Sequence, residues 1–204
     1  MRNTFDRFNG RHQDYQAARP SYAQEFLDWL GELYAPPERY TAADIGSGTG
    51  KLSAQLLAAG FRVCGVEPNP DMRGAAEALL GGDPRFSSSN GTDHDTGLPD
   101  RSVDMVAAAQ AFHWFDGPAF ARECRRILRP GGRAVLVWNV RGSAPMNQAL
   151  AQVFREHCPS FHGFTGGMGE DDPRIRDFFG GAYEKRRFPN HLTLGRDRFL
   201  RRCF

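Results

Sequence analysis

Glycine occupies positions 46, 48 and 50, directly after an apolar run that ends in Asp44 and Ile45. Glycine lets a backbone turn tightly and leaves bare peptide groups that a ligand can approach, because no Cβ stands in the way. Ser47 lies between the first two glycines, and an acid, Glu67, closes the next apolar run. Its offset is about the twenty residues at which a carboxylate at the end of a second strand accepts hydrogen bonds from ribose hydroxyls. Loop and acid together specify an adenosine. The plainer alternative is a tight turn followed by a solvated strand end, and G-x-G-x-G alone does not separate the two. Asp44, Glu67 and the strand context favour the ligand.

Spacing removes two other phosphate-binding chemistries. A dinucleotide loop, G-x-G-x-x-G, would need its third glycine where Lys51 stands. A nucleoside-triphosphate loop, G-x-x-x-x-G-K-[ST], would need glycine at Ile45 and a hydroxyl at Leu52.

Such a loop works only on a scaffold that presents it. Phe26, Leu27, Leu30, Leu33 and Tyr34 recur at helical spacing, opened by Pro20 and Ser21 and stopped by Pro36 and Pro37, which predicts a helix over 20–34. From Tyr40 the chain reads strand (YTAADIG), glycine turn, helix (KLSAQLLAAG) and strand (FRVCGVE). Gly60 suits a helix C-terminus. Asn69 and Pro70 open the next helix, because Asn caps free amides and Pro fits the first turn. A weaker strand is expected near RFSSSNG, a buried one at SVDMVAAAQA, a helix at GPAFARECRRIL stopping at an RPGG turn, and a fifth strand at RAVLVWNV. Beyond Val140 the pattern predicts a helix over 145–156, a Gly-rich stretch over 163–169 and a late strand at YEKRRF. Strands alternating with helices imply right-handed crossovers and an α/β, doubly wound, mostly parallel sheet with helices on both faces.

The 204 residues suffice for one domain with a real core, and 40% hydrophobic with 25% charged residues excludes a mainly disordered or collagen-like chain. With 26 basic against 24 acidic residues the net charge is +2, which gives no broad field for a phosphate backbone, so no nucleic-acid partner is expected. No apolar run approaches the roughly 18 residues of a membrane span, and the first residues lack the apolar core of a signal peptide. A cytoplasmic location without membrane attachment is the expectation. Cys64, Cys124, Cys158 and Cys203 lie far apart, and His12, His94 and His191 show no ligand spacing with them, so they read as reduced thiols and no metal is assigned. Arg196, Arg198, Arg201 and Arg202 read as a solvated helix face.

The segment DIGSGTGKLSAQLLAAGFRVCGVEPNPDMR resembles motif I and the following acidic motif of the class I S-adenosylmethionine-dependent methyltransferases, and RILRPGGRAVLVWN resembles their fifth-strand segment. One subgroup of small soluble methyltransferases is matched further by Phe8, Tyr15, Arg19, Pro20 and Tyr22 ahead of the fold and by AQAFHWFD after the fourth strand. The resemblance spans residues 5–140. It implies a Rossmann-like domain over 39–204 behind an N-terminal helical cap element over 1–38, with S-adenosyl-L-methionine as cofactor. It places Asp44, Gly46, Ser47, Gly48 and Gly50 in the cofactor loop, Glu67 on the ribose, and Pro68 and Met72 beside the adenine. Thr92 and Asp93 would lie on the adenine's polar edge, and Tyr15 and Arg19 would reach the cofactor's amino-acid end. Relatives often carry Ala-Glu where this chain has Asp93 and His94, which leaves the partner of the adenine amine open.

A sulfonium already makes its methyl carbon electrophilic, so alignment of a small-molecule acceptor is the protein's main task. Gln110, Phe112, His113 and Trp114 follow the fourth strand, where Gln110 would meet the cofactor and the other three would wall the acceptor pocket. His113 is the candidate general base, weighed against a plain packing role, and aromatic walls attract cationic charge. His157, Phe161, His162 and Phe164 border the Gly-rich stretch, a candidate cover or an ordinary solvated loop. Relatives close the sheet with an antiparallel pair after the fifth strand; with YEKRRF as the sixth, the tail LTLGRDRFLRRCF leaves little room for another, so this pair is expected to be incomplete, through a missing C-terminal segment or a naturally short chain. The competing classes are a non-catalytic cofactor-binding or interaction protein, and a nicotinamide oxidoreductase, which fails the glycine count.

Overall fold

The computed structural model describes residues 20–141, 145–161, 168–169, 171–193 and 195–201. Helix α1 (Gln24–Leu33) and a 3-10 turn (Pro37–Arg39) precede β1 (Thr41–Ile45), α2 (Lys51–Ala58), β2 (Arg62–Val66), α3 (Pro70–Leu80) and β3 (Phe86–Ser89). There follow β4 (Val103–Ala109), a second 3-10 turn (Phe112–Trp114), α4 (Gly117–Ile127), β5 (Leu128–Val137), α5 (Pro145–His157), α6 (Pro173–Phe178) and α7 (Arg196–Arg201). The five strands form one parallel sheet in the order β3-β2-β1-β4-β5. The chain winds outward from β1 to β3, then returns to the other side of β1 for β4 and β5. The turns after β1 and β4 therefore diverge at the sheet's switch point, where doubly wound folds hold their ligands.

Strand side chains alternate between two cores, as the two-residue period demands. Ala42, Val63 and Met105 face one layer with Phe26, Leu27 and Leu30 of α1 and Leu52, Leu56 and Leu57 of α2. Ala43, Ile45, Val66 and Val106 face the other with Phe120, Cys124 and Ile127 of α4 and Ile175 of α6. Both faces are thus covered, which is why these strands read as continuous apolar runs.

The helix boundaries follow local chemistry. The Asn69 side chain accepts the Met72 N–H at 3.0 Å with Pro70 in the first turn of α3, and the Asp116 carboxylate caps α4 through the Ala119 N–H at 2.9 Å. At the end of α2, Gly60 turns left-handed at φ +106. Its N–H reaches the Leu57 carbonyl at 3.0 Å and the Phe61 N–H reaches Leu56 at 3.1 Å, the two bonds of a Schellman closure. Phe61 is thereby swung into full burial at the start of β2.

Three expectations for the later chain meet the structure differently. The helix over 145–156 forms as Pro145–His157, yet it buries none of its residues, and Met146 and Val153 are 65% and 51% exposed. The RPGG turn does not precede β5 but lies within it: Val103 pairs with Leu128 and Met105 already with Arg133, so 129–132 bulge outward with Gly131 at φ +83. YEKRRF, expected as a strand, is not one. Its four consecutive charged residues are exposed, and only Phe188 inserts, with ring centroids 5.8 Å from Phe26 and 5.9 Å from Trp29. Arg186 lies over the Trp29 ring at 5.1 Å. The segment is drawn onto α1 by aromatic packing, and among the described residues no strand lies outside β5. No helix among them is long and apolar enough to cross a membrane.

Gly60→Ala forces a Cβ into the left-handed region and to 3.1 Å from Pro37 Cγ. The expected loss is about 1–2 kcal/mol of unfolding free energy, read by urea denaturation as a lower midpoint with an unchanged slope.

Candidate functional site

Residues 44–50 leave β1 as a turn with Gly46, Gly48 and Gly50 all at positive φ, 69, 56 and 78. The Gly46 and Ser47 N–H groups both bond the Val66 carbonyl at the end of β2, at 2.9 and 3.1 Å. The three glycines serve different ends. A Cβ at Gly46 would stand 2.8 Å from Ala111 Cβ and 3.2 Å from the Phe115 ring, and one at Gly50 2.9 Å from Leu80. Those positions permit close packing of the loop against the segment after β4 and against α3. At Gly48 a Cβ would meet nothing within 4 Å. Of the three glycines, only Gly48 has open space at its Cβ position.

Glu67 reaches into the same place from β2. Its Oε2 accepts the Gly48 N–H and its Oε1 the Asn69 N–H, both at 2.9 Å. The side chain is buried, which raises its pKa; the Asn69 and Gly48 amides and the nearby Arg73 oppose that rise. A carboxylate offers about four acceptor sites. Two are taken, and two remain. Arg73 braces the base of this arrangement, donating to the Glu67 carbonyl and to Asn90 Oδ1, each at 2.9 Å.

Asp44 lies beneath the loop, 1% exposed, with Oδ2 accepting the Ser53 hydroxyl at 2.7 Å. Among the described residues its Oδ1 has no hydrogen-bond partner, nor does the buried Thr49 hydroxyl. Burial pushes the Asp44 carboxyl up to about 6 against the pull of Ser53. Ser53, nine residues past Asp44 in the chain, has no signature in a motif read along the loop; its position in the first turn of α2, facing the strand end, is the only clue.

On the far side, Gln110 ends β4 in the left-handed region, at φ 54, and donates from its side chain to the Asn139 carbonyl at 3.0 Å. Asn139 donates in turn to the Ser21 carbonyl at 3.3 Å, and Asn190 to the same carbonyl at 2.8 Å. Gln55 of α2 clasps Tyr22 at both backbone groups, at 2.8 and 3.0 Å. The start of the described chain is thus tied to the rim of the site. Tyr15 and Arg19, like His12, His162 and Phe164, lie outside the described residues. Trp114 is 45% exposed with His113 beside it, ring centroids 4.8 Å apart. Phe112, expected as a pocket wall, is instead 2% exposed in the core, its ring packed with Phe115, Phe120, Trp138 and Phe178. It supports the rim from below, because the 3-10 turn aims successive side chains in different directions. Met72 is likewise 3% exposed, and Pro68 half-buried beside it. Thr92 and Asp93 lie in the turn after β3, where Asp93 Oδ2 accepts the Asp116 N–H at 3.0 Å.

The Asp44 carboxyl, at about 6 when folded against an ordinary 3.8, favours the folded state most when protonated. That advantage is lost as pH rises from about 4 through 6. Asp44→Asn, which can still accept from Ser53, is expected to be more stable than the parent at pH 7.5, by up to about 2–3 kcal/mol. The difference should fade below pH about 4, as read by denaturant titration at both pH values.

Residues 43–136 match the family described as methyltransferase domain. An uncharacterized methyltransferase of Mycobacterium tuberculosis is 42% identical over 127 residues, 62% of this chain and 49% of its own. An uncharacterized methyltransferase of Schizosaccharomyces pombe is 31% identical over 147 residues, 71% of this chain and 57% of its own. The chain spans about half the length of the curated relatives it matches. Among solved structures, one of a candidate type II methyltransferase from Anaeromyxobacter dehalogenans superposes with a TM-score of 0.57 at 31% identity, over 86% of this chain and 70% of that one. With the parallel sheet, the glycine loop and the acid at the end of β2, these likenesses agree: the chain belongs to the methyltransferase family.

Proposed function

We propose that the protein binds S-adenosylmethionine at the carboxyl rim of β1, β2 and β4 and transfers its methyl group to a small-molecule acceptor by in-line displacement. The observation that carries this reading is Glu67, buried with two acceptor sites still free, bonded to Gly48, the loop glycine with open space at its Cβ position. A ribose diol fits that pair, and no phosphate has to be accommodated there. The bound cofactor supplies an electrophilic methyl carbon. The chain's own residues supply placement: Gly48 and Glu67 fix the sugar, Pro68 flanks the base with the buried Met72 beneath it, and Thr92 and Asp93 border its polar edge. Asp44 holds Ser53 and keeps the loop seated on α2. Trp114 walls the acceptor side and His113, beside it, takes a proton from the acceptor. Tyr15 and Arg19 serve the cofactor's amino-acid end, and Gln110 the rim between cofactor and acceptor. The near balance of basic and acidic residues, 26 to 24, favours a small acceptor over a nucleic acid.

Calorimetry should show one saturable site for S-adenosylmethionine and for its demethylated product, with Glu67→Ala weakening both by tenfold or more. Absence of binding by the folded parent overturns the reading. Transfer of a labelled methyl group to a panel of small acceptors tests the reaction itself. Binding without transfer across that panel would favour a non-catalytic cofactor-binding protein. His113→Gln should lower kcat while leaving cofactor affinity unchanged.

A further inference from the structure

The turn between β3 and β4, residues 90–99, carries Thr92 and Asp93; Arg73 of α3 holds its first residue through Asn90, and α4 holds it at two further points. The Thr96 backbone N–H and hydroxyl both donate to Glu123 Oε1, at 2.9 and 2.6 Å, and Thr96 is fully buried. The Leu98 N–H closes onto the same hydroxyl at 3.2 Å. Ser89, at the end of β3, donates to the Thr96 carbonyl at 2.7 Å, and a Cβ on Gly91 would lie 2.4 Å from that carbonyl oxygen. Residues 89–96 are therefore a closed ring with Thr96 as its clasp. Within the ring, the Thr92 N–H bonds the Asp95 carbonyl at 2.8 Å and the Asp95 N–H bonds the Thr92 hydroxyl at 3.1 Å. Two turns of α4 before Glu123, the cap residue Asp116 donates its N–H to Asp93. One helix thus grips the turn twice.

Glu123 is far more committed than a surface acid. It is 6% exposed, and Arg126 reaches both of its oxygens, Nε to Oε2 at 2.8 Å and Nη2 to Oε1 at 2.7 Å. Arg126 also binds Asp100 at 2.7 Å, beyond the far end of the turn. Burial would raise the Glu123 carboxyl, but the Arg126 and Thr96 hydrogen bonds outweigh it and hold it at about 2. The ionised acid is the centre on which Thr96, Arg126 and, through them, the whole turn are registered.

We infer that Glu123 is a positioning residue for recognition of the cofactor's adenine: through Thr96 it fixes the height and orientation of the turn that presents Thr92 and Asp93 to the base. The inference rests on the cofactor reading given above. It assigns base selectivity to a buried ion pair on the outer helix, reached through one threonine.

Glu123→Gln keeps the shape and one acceptor for Thr96 but sets an amide N–H against the Arg126 guanidinium. Thr96→Val removes the hydroxyl, both as donor to Glu123 and as acceptor of the Leu98 N–H, and Thr96→Ser restores it. The readout is calorimetric affinity for S-adenosylhomocysteine and for its inosine counterpart, in which the base's 6-amino group is replaced by oxygen. Both are measured at 10 °C on variants whose circular dichroism shows a cooperative melt. The expected result is about tenfold weaker binding of the adenosine ligand in Glu123→Gln and Thr96→Val, a smaller change for the inosine ligand, and parental values in Thr96→Ser. Thr96→Val carries the test should Glu123→Gln fail to melt cooperatively. Folded variants that bind both ligands within twofold of the parent, or that lose both equally, overturn the positioning role. A parent that binds neither ligand overturns the cofactor reading and this inference with it.

Discussion

The contact on which the rest depends is the Glu67 carboxylate between two backbone amides. A buried charge is tolerable only when hydrogen bonds replace the water it has lost. Here the replacements come from Gly48, in the turn after β1, and Asn69, at the head of α3. If either turn moved, a charge with too few donors would be left in the interior. The two strand-to-helix turns therefore behave as one rigid piece, and the register of β1 on β2, with Ile45 beside Val66, brings them to the same level. Asn69 adds to the economy of the arrangement, since its side chain caps α3 while its backbone holds the acid.

Around that piece the fold is arranged by size as much as by polarity. Gly46 allows Ala111 and Phe115 to press against the loop, and Gly50 does the same for α3 through Ala76 and Leu80. The loop is confined on two sides and open on a third. A site of this kind needs little movement before binding, so ordering costs are met by folding rather than by the ligand. The Phe112, Phe115, Phe120 and Phe178 rings form the floor that makes the confinement stiff.

What could be read from the chain depended on how far apart the partners were. The Asn69 and Pro70 helix start and the Gly60 helix stop were legible because the chemistry closes within a few residues. The loop and Glu67 were legible because their spacing reflects one strand-turn-helix-strand unit. Asn139 under Ser21 and Glu123 under Thr96 were not, since each pairing joins residues far apart in the chain that only the tertiary fold brings together, and Ser53 under Asp44 was not because it lies past the loop, in the helix that follows. Phe112 was misplaced for a related reason: a 3-10 turn breaks the alternation that tells inward from outward along a strand. YEKRRF had an aromatic at each end and read as a strand, but a ladder needs a neighbour, and Phe188 found α1 instead.

The ties at the rim have a character of their own. Gln55 with Tyr22, Gln110 with Asn139, and Asn139 and Asn190 with Ser21 are all bonds between neutral amides and backbone groups. Dissolved ions screen charge pairs within about a nanometre but have little hold on neutral dipoles, and no amide titrates in the physiological range. These bonds to Ser21 and Tyr22 are consequently insensitive to ionic strength and acidity, whereas the turn gripped by Glu123 and Arg126 is held by formal charge. Because the Glu123 carboxyl is buried and held at about 2, it keeps its charge in all but strong acid and is little screened by salt, so brine and mild acid leave both the entrance seam and the outer grip in place.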